Sequence, residues 1–271
     1  MKTGSLNFDH MISSLQASKK YRSLDLPYEF LLDILVTESN IHSDARMLEQ
    51  VFRRKVHEVV APYLENINYP LESARLIQVF KCADPSQLDE FCLDLLAMHS
   101  STRERIPFIH NIYSALFSVT GKPGIILDLA CGLHPFGLPW MGLDKNILYC
   151  AYDIHKPRID LINQFMILSG YASLAQQRDI LVSPPLIPSD VAFLFKEAHR
   201  IEKRKPGATN VLLQSINSKW VIISLPVTDL GGHHDLSVKH RQLLNRLLPN
   251  KYKLVHELTV GGELFFFLAK K

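Results

Sequence analysis

The chain has no run of about 18 apolar residues, the length a membrane-crossing helix needs, although 47% of its 271 residues are hydrophobic. Its opening, MKTGSLNFDH, lacks the apolar stretch of a secretory leader. Cysteine is scarce. Cys82, Cys92, Cys131 and Cys150 are the four, and no two form a C-x-x-C pair. That spacing argues against a zinc site and against a disulfide framework, so no metal is expected and reduced thiols in a cytoplasmic protein are. The phosphate cradle G-x-G-x-x-G is also missing, because ACGLHPFG at 130–137 has the wrong spacing. This weighs against a nicotinamide dinucleotide, whose pyrophosphate needs that cradle. There is no internal repeat and no low-complexity linker.

Charge is present but unevenly spread. Residues 1–120 hold 12 Lys+Arg against 15 Asp+Glu, and residues 121–271 hold 18 against 12. A basic second half assists approach to a polyanion. The negative first half confines any nucleic-acid contact there to a local patch.

The hydrophobic pattern changes near Gly121. Before it, helical periodicity prevails. In SDARMLEQVFRRKVHEVVAPYL, Met47, Leu48, Val51, Phe52, Val56, Val59 and Val60 share one broad face, with Ser43 as the N-cap and Pro62 as the stop. A second helix starts near Ser86. A third covers about 101–118, with Pro107 in its first turns or at a break. After Gly121, short apolar strands follow: GIILDLACG runs into a glycine loop, LYCAYDIH and SLAQQRDI each reach an acid, and SDVAFLFK and KWVIISLPV are a fourth and a fifth. RIDLINQFMILSG reads as a helix closed by glycine. The tail predicts two strands joined at Gly261 and Gly262. The fold class is therefore α/β, a Rossmann-like sheet with an N-terminal helical extension, divided as 1–120 and 121–271.

Three strand ends carry an acid: Asp128, Asp153 and Asp179, spaced by 25 and 26 residues, about one βα unit each. In open α/β sheets ligands sit beyond such ends. Gly132 lets the backbone approach a ligand. Asp153 can accept from both ribose hydroxyls and Asp179 from an adenine amino group, the pattern a nucleoside cofactor without a pyrophosphate requires. Isolated acids after strands also serve as helix caps.

At this point the residues resemble the aminoglycoside-resistance methyltransferases that modify guanine N7 in the decoding region of 16S rRNA. The resemblance runs through ASKKYRSL at 17–24, HSSTRER at 99–105, LDLACGLHPF at 127–136, YDIH at 152–155, QRDILVSPP at 177–185, LFK at 194–196, LLQSINS at 212–218 and SLPVTDLGG at 224–232, in family order. It implies S-adenosylmethionine contacts at His99, Ser100, Ser101, Arg105, Ala130, Gly132, Asp153, Asp179, Ile180 and Phe195, with Tyr63 a further candidate. Arg105 would fork the cofactor carboxylate. The N-terminal region would dock rRNA of the 30S subunit through Lys19, Lys20 and Arg22 around Tyr21, with Lys196 and His233 nearer the target. A monomer is expected. Guanine N7 carries a lone pair and no proton, so no catalytic acid or base is nominated, and Lys196 can orient or balance charge.

Three departures stand out. The family has Asn where this chain has His134. It has K-L-L-P where this chain has Lys196-Glu197-Ala198-His199. Its basic loop after the paired glycines is replaced by His233-His234-Asp235-Leu236-Ser237. Two further readings stay open: a methyltransferase of the same fold acting on another RNA or a small molecule, and a cofactor- or RNA-binding protein with little turnover.

Overall fold

The protein is described by a computed structural model covering residues 7–61, 67–82, 84–229 and 234–271. Three helices come first: α1 (Phe8–Ala17), α2 (Tyr28–Ser39) and α3 (Ala45–Val60). Their apolar stripes face one another, and Ile12, Leu15, Phe30, Leu31, Leu48, Phe52 and Val56 form a closed core. Of the predicted face of α3, Leu48, Val51, Phe52, Val56 and Val60 are buried, Val59 is partly buried and Met47 is half exposed. Its cap is Asp44, whose carboxylate accepts from the Met47 N–H at 2.7 Å, and not Ser43. A carboxylate there also meets the positive end of the helix dipole. Pro62 lies outside the described residues.

Helices α4 (Tyr69–Cys82), α5 (Pro85–Met98), α6 (Ser100–Arg103) and α7 (Ile109–Thr120) follow. Pro107 breaks the predicted third helix: α6 ends, a 3-10 turn spans Ile106–Phe108, and α7 starts afresh. The sheet comprises β1 (Ile125–Leu129), β2 (Leu148–Asp153), β3 (Gln176–Gln177), β4 (Ser189–Phe195), β5 (Ser218–Pro226), β6 (Tyr252–Val260) and β7 (Glu263–Lys270), in the order β3-β2-β1-β4-β5-β7-β6. Strands β1 to β5 run parallel, and β7 and β6 are antiparallel additions at one edge. Helices α8 (Lys156–Leu168), α9 (Ala198–Arg204), α10 (Ala208–Ser215) and α11 (Ser237–Leu247) complete the chain.

Apolar residues on neighbouring positions point to opposite faces, as a doubly covered sheet demands. Ile126, Val191, Phe193, Phe265 and Phe267 face one core, while Leu127, Ala192, Leu194, Phe266 and Leu268 face the other. The first of these cores also takes in Leu76, Phe91, Leu95, Ile112 and Leu116. Helices α4, α5 and α7 therefore belong with the sheet. The expected division at 120 marks the change of sequence pattern but not the change of core, which falls between Val60 and Ile67. The β6–β7 turn is the predicted glycine pair, with φ of 59° at Gly261 and 73° at Gly262. At Gly261 a Cβ would also come within 2.5 Å of the Phe108 ring. Among the described residues no helix is long and apolar enough to cross a membrane.

Candidate active site

Strand order reverses between β1 and β4, which pair with each other while their chain neighbours run outward. That opens a crevice at the carboxyl edge, and two adjoining cavities occupy it. The larger, of about 350 Å³, lies between the sheet and the N-terminal helices and includes Ala130, Asp153, Asp179 and Ile180 in its wall. The smaller, of about 100 Å³, includes His99, Ser100, Ser101, Arg105, Gly132 and Phe195. Ala130, Glu197, His199 and Arg200 border both. Ten of the eleven residues expected to contact a cofactor thus border one continuous crevice. Tyr63 lies outside the described residues.

The three acids do different work. Asp128 faces inward. Its Oδ2 accepts from the Tyr149 hydroxyl at 2.7 Å and from His134 Nδ1 at 2.9 Å, and it is 1% exposed. Asp153 ends β2 and organises the loop after β1. Its Oδ2 accepts from the Gly132 N–H and from Arg158 Nη1, both at 3.0 Å, and its Oδ1 accepts from the His155 N–H at 2.8 Å. A carboxylate oxygen has two lone pairs, so Oδ2 is saturated and Oδ1 keeps one. Burial pushes the Asp153 pKa up, but the Arg158 guanidinium and the accepted bonds outweigh it and hold the carboxyl below its ordinary range. Asp179 accepts from the Leu181 N–H at 3.0 Å through Oδ1 and from Arg204 Nη2 at 2.6 Å through Oδ2, which leaves one lone pair on each oxygen.

Arg105 is already engaged. Its Nε and Nη2 donate to Glu263 at 2.8 and 2.6 Å in a buried fork, and its guanidinium lies 4.8 Å from the centre of the Phe195 ring. Burial opposes the charge on both partners, and each outweighs it for the other: the Glu263 pKa is lowered and that of Arg105 raised. Only Nη1 lies outside this fork. Lys196, one residue beyond β4, bonds to Glu104 and lies 3.6 Å from Glu263. Burial, reinforced by Arg158 and Arg200, lowers the His99 pKa to about 4, so the ring is neutral at pH 7. The His134 ring borders the smaller cavity, and its buried Nε2 has no hydrogen-bond partner among the described residues.

Ala130 and Lys196, at the ends of β1 and β4, both have φ of 55°. Asp25 is the one other non-glycine with positive φ among the described residues. Left-handed backbone at residues with a Cβ costs on the order of 1–3 kcal/mol each and clusters where a site dictates direction.

The basic cluster of the first helices is elsewhere. Lys19, Lys20 and Arg22 are exposed, but Tyr21 is 7% exposed and packed into the N-terminal core, so it offers no face for stacking on a base. His233 lies outside the described residues. Asp235 is exposed and accepts from the Ser237 N–H at 2.7 Å. Sequence reasoning missed Glu263, Arg158, Tyr149 and Arg204. The one available signal was a lone acid directly after the glycine pair, in an otherwise apolar strand.

The comparisons with known proteins agree with this geometry. A curated 16S rRNA (guanine(1405)-N(7))-methyltransferase from Serratia marcescens is 27% identical over 266 residues, covering 98% of this chain and 99% of its own. One from Micromonospora rosea is 26% identical over 221 residues, covering 80% of this chain and 81% of its own. Among solved structures, an rRNA methylase from Escherichia coli superposes with a TM-score of 0.76 at 25% identity, covering 98% of this chain and 100% of that one. The 16S rRNA methyltransferase RmtF, solved with S-adenosyl-L-homocysteine, shares the fold over 100% of both chains with a TM-score of 0.80 at 23% identity. The model of the ribosomal RNA methyltransferase (FmrO) family matches residues 18–247, and the chain belongs to that family.

Proposed function

We propose that the protein methylates N7 of guanine 1405 of 16S rRNA in the assembled 30S subunit, with S-adenosylmethionine as donor, and works as a cytoplasmic monomer. The observation that carries the reading is the pair of cavities meeting at Ala130 on the carboxyl edge of the sheet. The residues fit that cofactor. Asp153 and Asp179 keep lone pairs for a ribose hydroxyl and an adenine amino group. Ser100, Ser101 and Arg105 Nη1 are donors for a carboxylate, and the orphaned His134 Nε2 is an acceptor for an ammonium. Gly132 has nothing within 4 Å of where a Cβ would stand, so its backbone borders open space.

When bound, S-adenosylmethionine supplies an electrophilic methyl group on a sulfonium. Because guanine N7 has no proton to lose, the protein's task is alignment. Phe195 provides an apolar wall backed by Arg105, and Lys196 stands at the rim with Glu104 and Glu263 balancing its charge. The exposed Lys19, Lys20 and Arg22 supply phosphate contacts for docking. The test is methylation of purified 30S subunits with labelled S-adenosylmethionine, followed by mapping of the modified base. Methylation at guanine 1405 is the expected result, and methyl transfer only to another nucleotide or to a small molecule would overturn the target.

A further inference from the structure

Arg204, the last residue of α9, stands where the N-terminal core meets the catalytic one. Its Nη2 donates to Asp179 Oδ2 at 2.6 Å and to Asp33 Oδ2 of α2 at 2.9 Å. Its guanidinium carbon lies 4.8 Å from the centre of the Phe30 ring, in the middle of the N-terminal core. Lys205 Nζ reaches the other oxygen of Asp33 at 3.3 Å. The same N-terminal helices wall the larger cavity with Ile34, Thr37, Val59 and Val60, opposite Asp153 and Ile180. The carboxylate at the adenine end of the cavity is therefore held by a cation that is itself held by α2.

We infer that Arg204 is a positioning residue for the adenine end of the cofactor site, and that α2 takes part in cofactor recognition through it. The inference rests on the reading of the larger cavity as the adenosine site. Asp179 can rotate about its terminal torsion unless both oxygens are anchored. The Leu181 N–H anchors one, and Arg204 the other. Because Asp33 and Asp179 accept from the same nitrogen, the two carboxylates stand a few ångströms apart and repel without the guanidinium. The guanidinium lies over the Phe30 ring while its Nη2 reaches both carboxylates, and a lysine ammonium has no planar face to lay on that ring. Linkage then runs both ways: whatever fixes α2 favours adenine binding, and adenine binding secures α2 against the sheet.

The test uses the full chain and two probes, S-adenosylhomocysteine and S-inosylhomocysteine, which carries a 6-oxo group in place of the 6-amino group. Calorimetry on the wild type should show a preference for the amino compound of about tenfold or more, the worth of one well-placed hydrogen bond to a charged group. Asp33→Asn leaves Asp179 and Arg204 intact and alters a partly exposed residue. It should weaken S-adenosylhomocysteine about three- to tenfold while affecting the inosyl analogue little, so that the preference shrinks. Arg204→Lys should shrink it further. Hydrogen exchange across α2 should slow when S-adenosylhomocysteine binds the wild type, and respond less in either variant. Unchanged affinity and preference in Asp33→Asn would overturn the inference while the adenosine reading stands. So would an equal loss for both probes, since the base end would not be the part affected. A wild type that binds neither probe would overturn the adenosine reading, and the inference with it.

Discussion

The two cavities are built on opposite plans. The smaller draws its polar residues from the catalytic core alone, and its strongest charges are already matched inside the wall: Arg105 with Glu263, and Asp128 with Tyr149 and His134. The larger is shared between two cores, and Arg204 ties Asp33 on one to Asp179 on the other. A wall with internal pairs is set before any ligand arrives. A wall divided between two bodies is only as firm as their contact. Alignment at the reacting end requires the first kind, and the end that recognises adenine can use the second.

The comparison breaks most sharply at Glu263. Replacing it with Ala strands a buried guanidinium, and the loss of one partner of such a pair costs about 3–5 kcal/mol. Denaturant unfolding should show that loss. Replacing both partners with apolar residues, Arg105→Met with Glu263→Leu, should recover most of the stability but not the methyl transfer.

Acid should act next, on one histidine from each cavity. Burial, followed by Arg158 and Arg200 for His99 and by Arg158 for His155, sets both histidines at a pKa of about 4. The ordinary value is near 6.5. The folded state therefore binds these protons more weakly than the unfolded chain. Their contribution is fully present above pH 6.5 and lost as pH falls toward 4, up to roughly 3 kcal/mol per group. Unfolding measured across that window should steepen toward acid, and His155→Phe should flatten the slope. A flat profile in the wild type would mean that these rings are not held neutral.

Asp153→Asn keeps the shape of the side chain but weakens its hold on Arg158 and on a ribose hydroxyl. A loss of about 1–3 kcal/mol in S-adenosylhomocysteine binding is expected by calorimetry. The smallest effect belongs to docking. Lys19→Ala with Lys20→Ala should lower the slope of log affinity for 30S against log salt by about 0.9 for each phosphate no longer neutralised, and leave cofactor affinity alone. A change in cofactor affinity would show that the N-terminal patch reaches the larger cavity.

Regular spacing made the framework readable. Asp153 ends β2, Asp128 is the penultimate residue of β1, Asp179 follows β3 by two residues, and the glycine pair turns the final hairpin. Spacing carries no direction, so it could not show that Asp128 turns inward to His134 and Tyr149. The third strand shrank to Gln176–Gln177, because its sequence has too few apolar residues to bury on both faces. Helical periodicity looks alike in α3 and α5, yet one packs on the N-terminal core and the other on the sheet. Periodicity alone does not say which core a helix joins, so the change of core between Val60 and Ile67 was not legible in it. The occupied fork of Arg105 was unreadable on the same grounds, since its partner stands 158 residues later.

That separation also sets a schedule for the newborn chain. Loops close late when their ends are far apart in sequence, and a polypeptide leaves the ribosome in order. The segment bearing Arg105 emerges long before β7 does, and until Glu263 follows, the guanidinium has no carboxylate to settle against. A nascent chain can assemble its N-terminal helices and first strands while the reacting end of the pocket is still open. An rRNA methyltransferase built this way thus completes its Arg105–Glu263 pair only once β7 has been made.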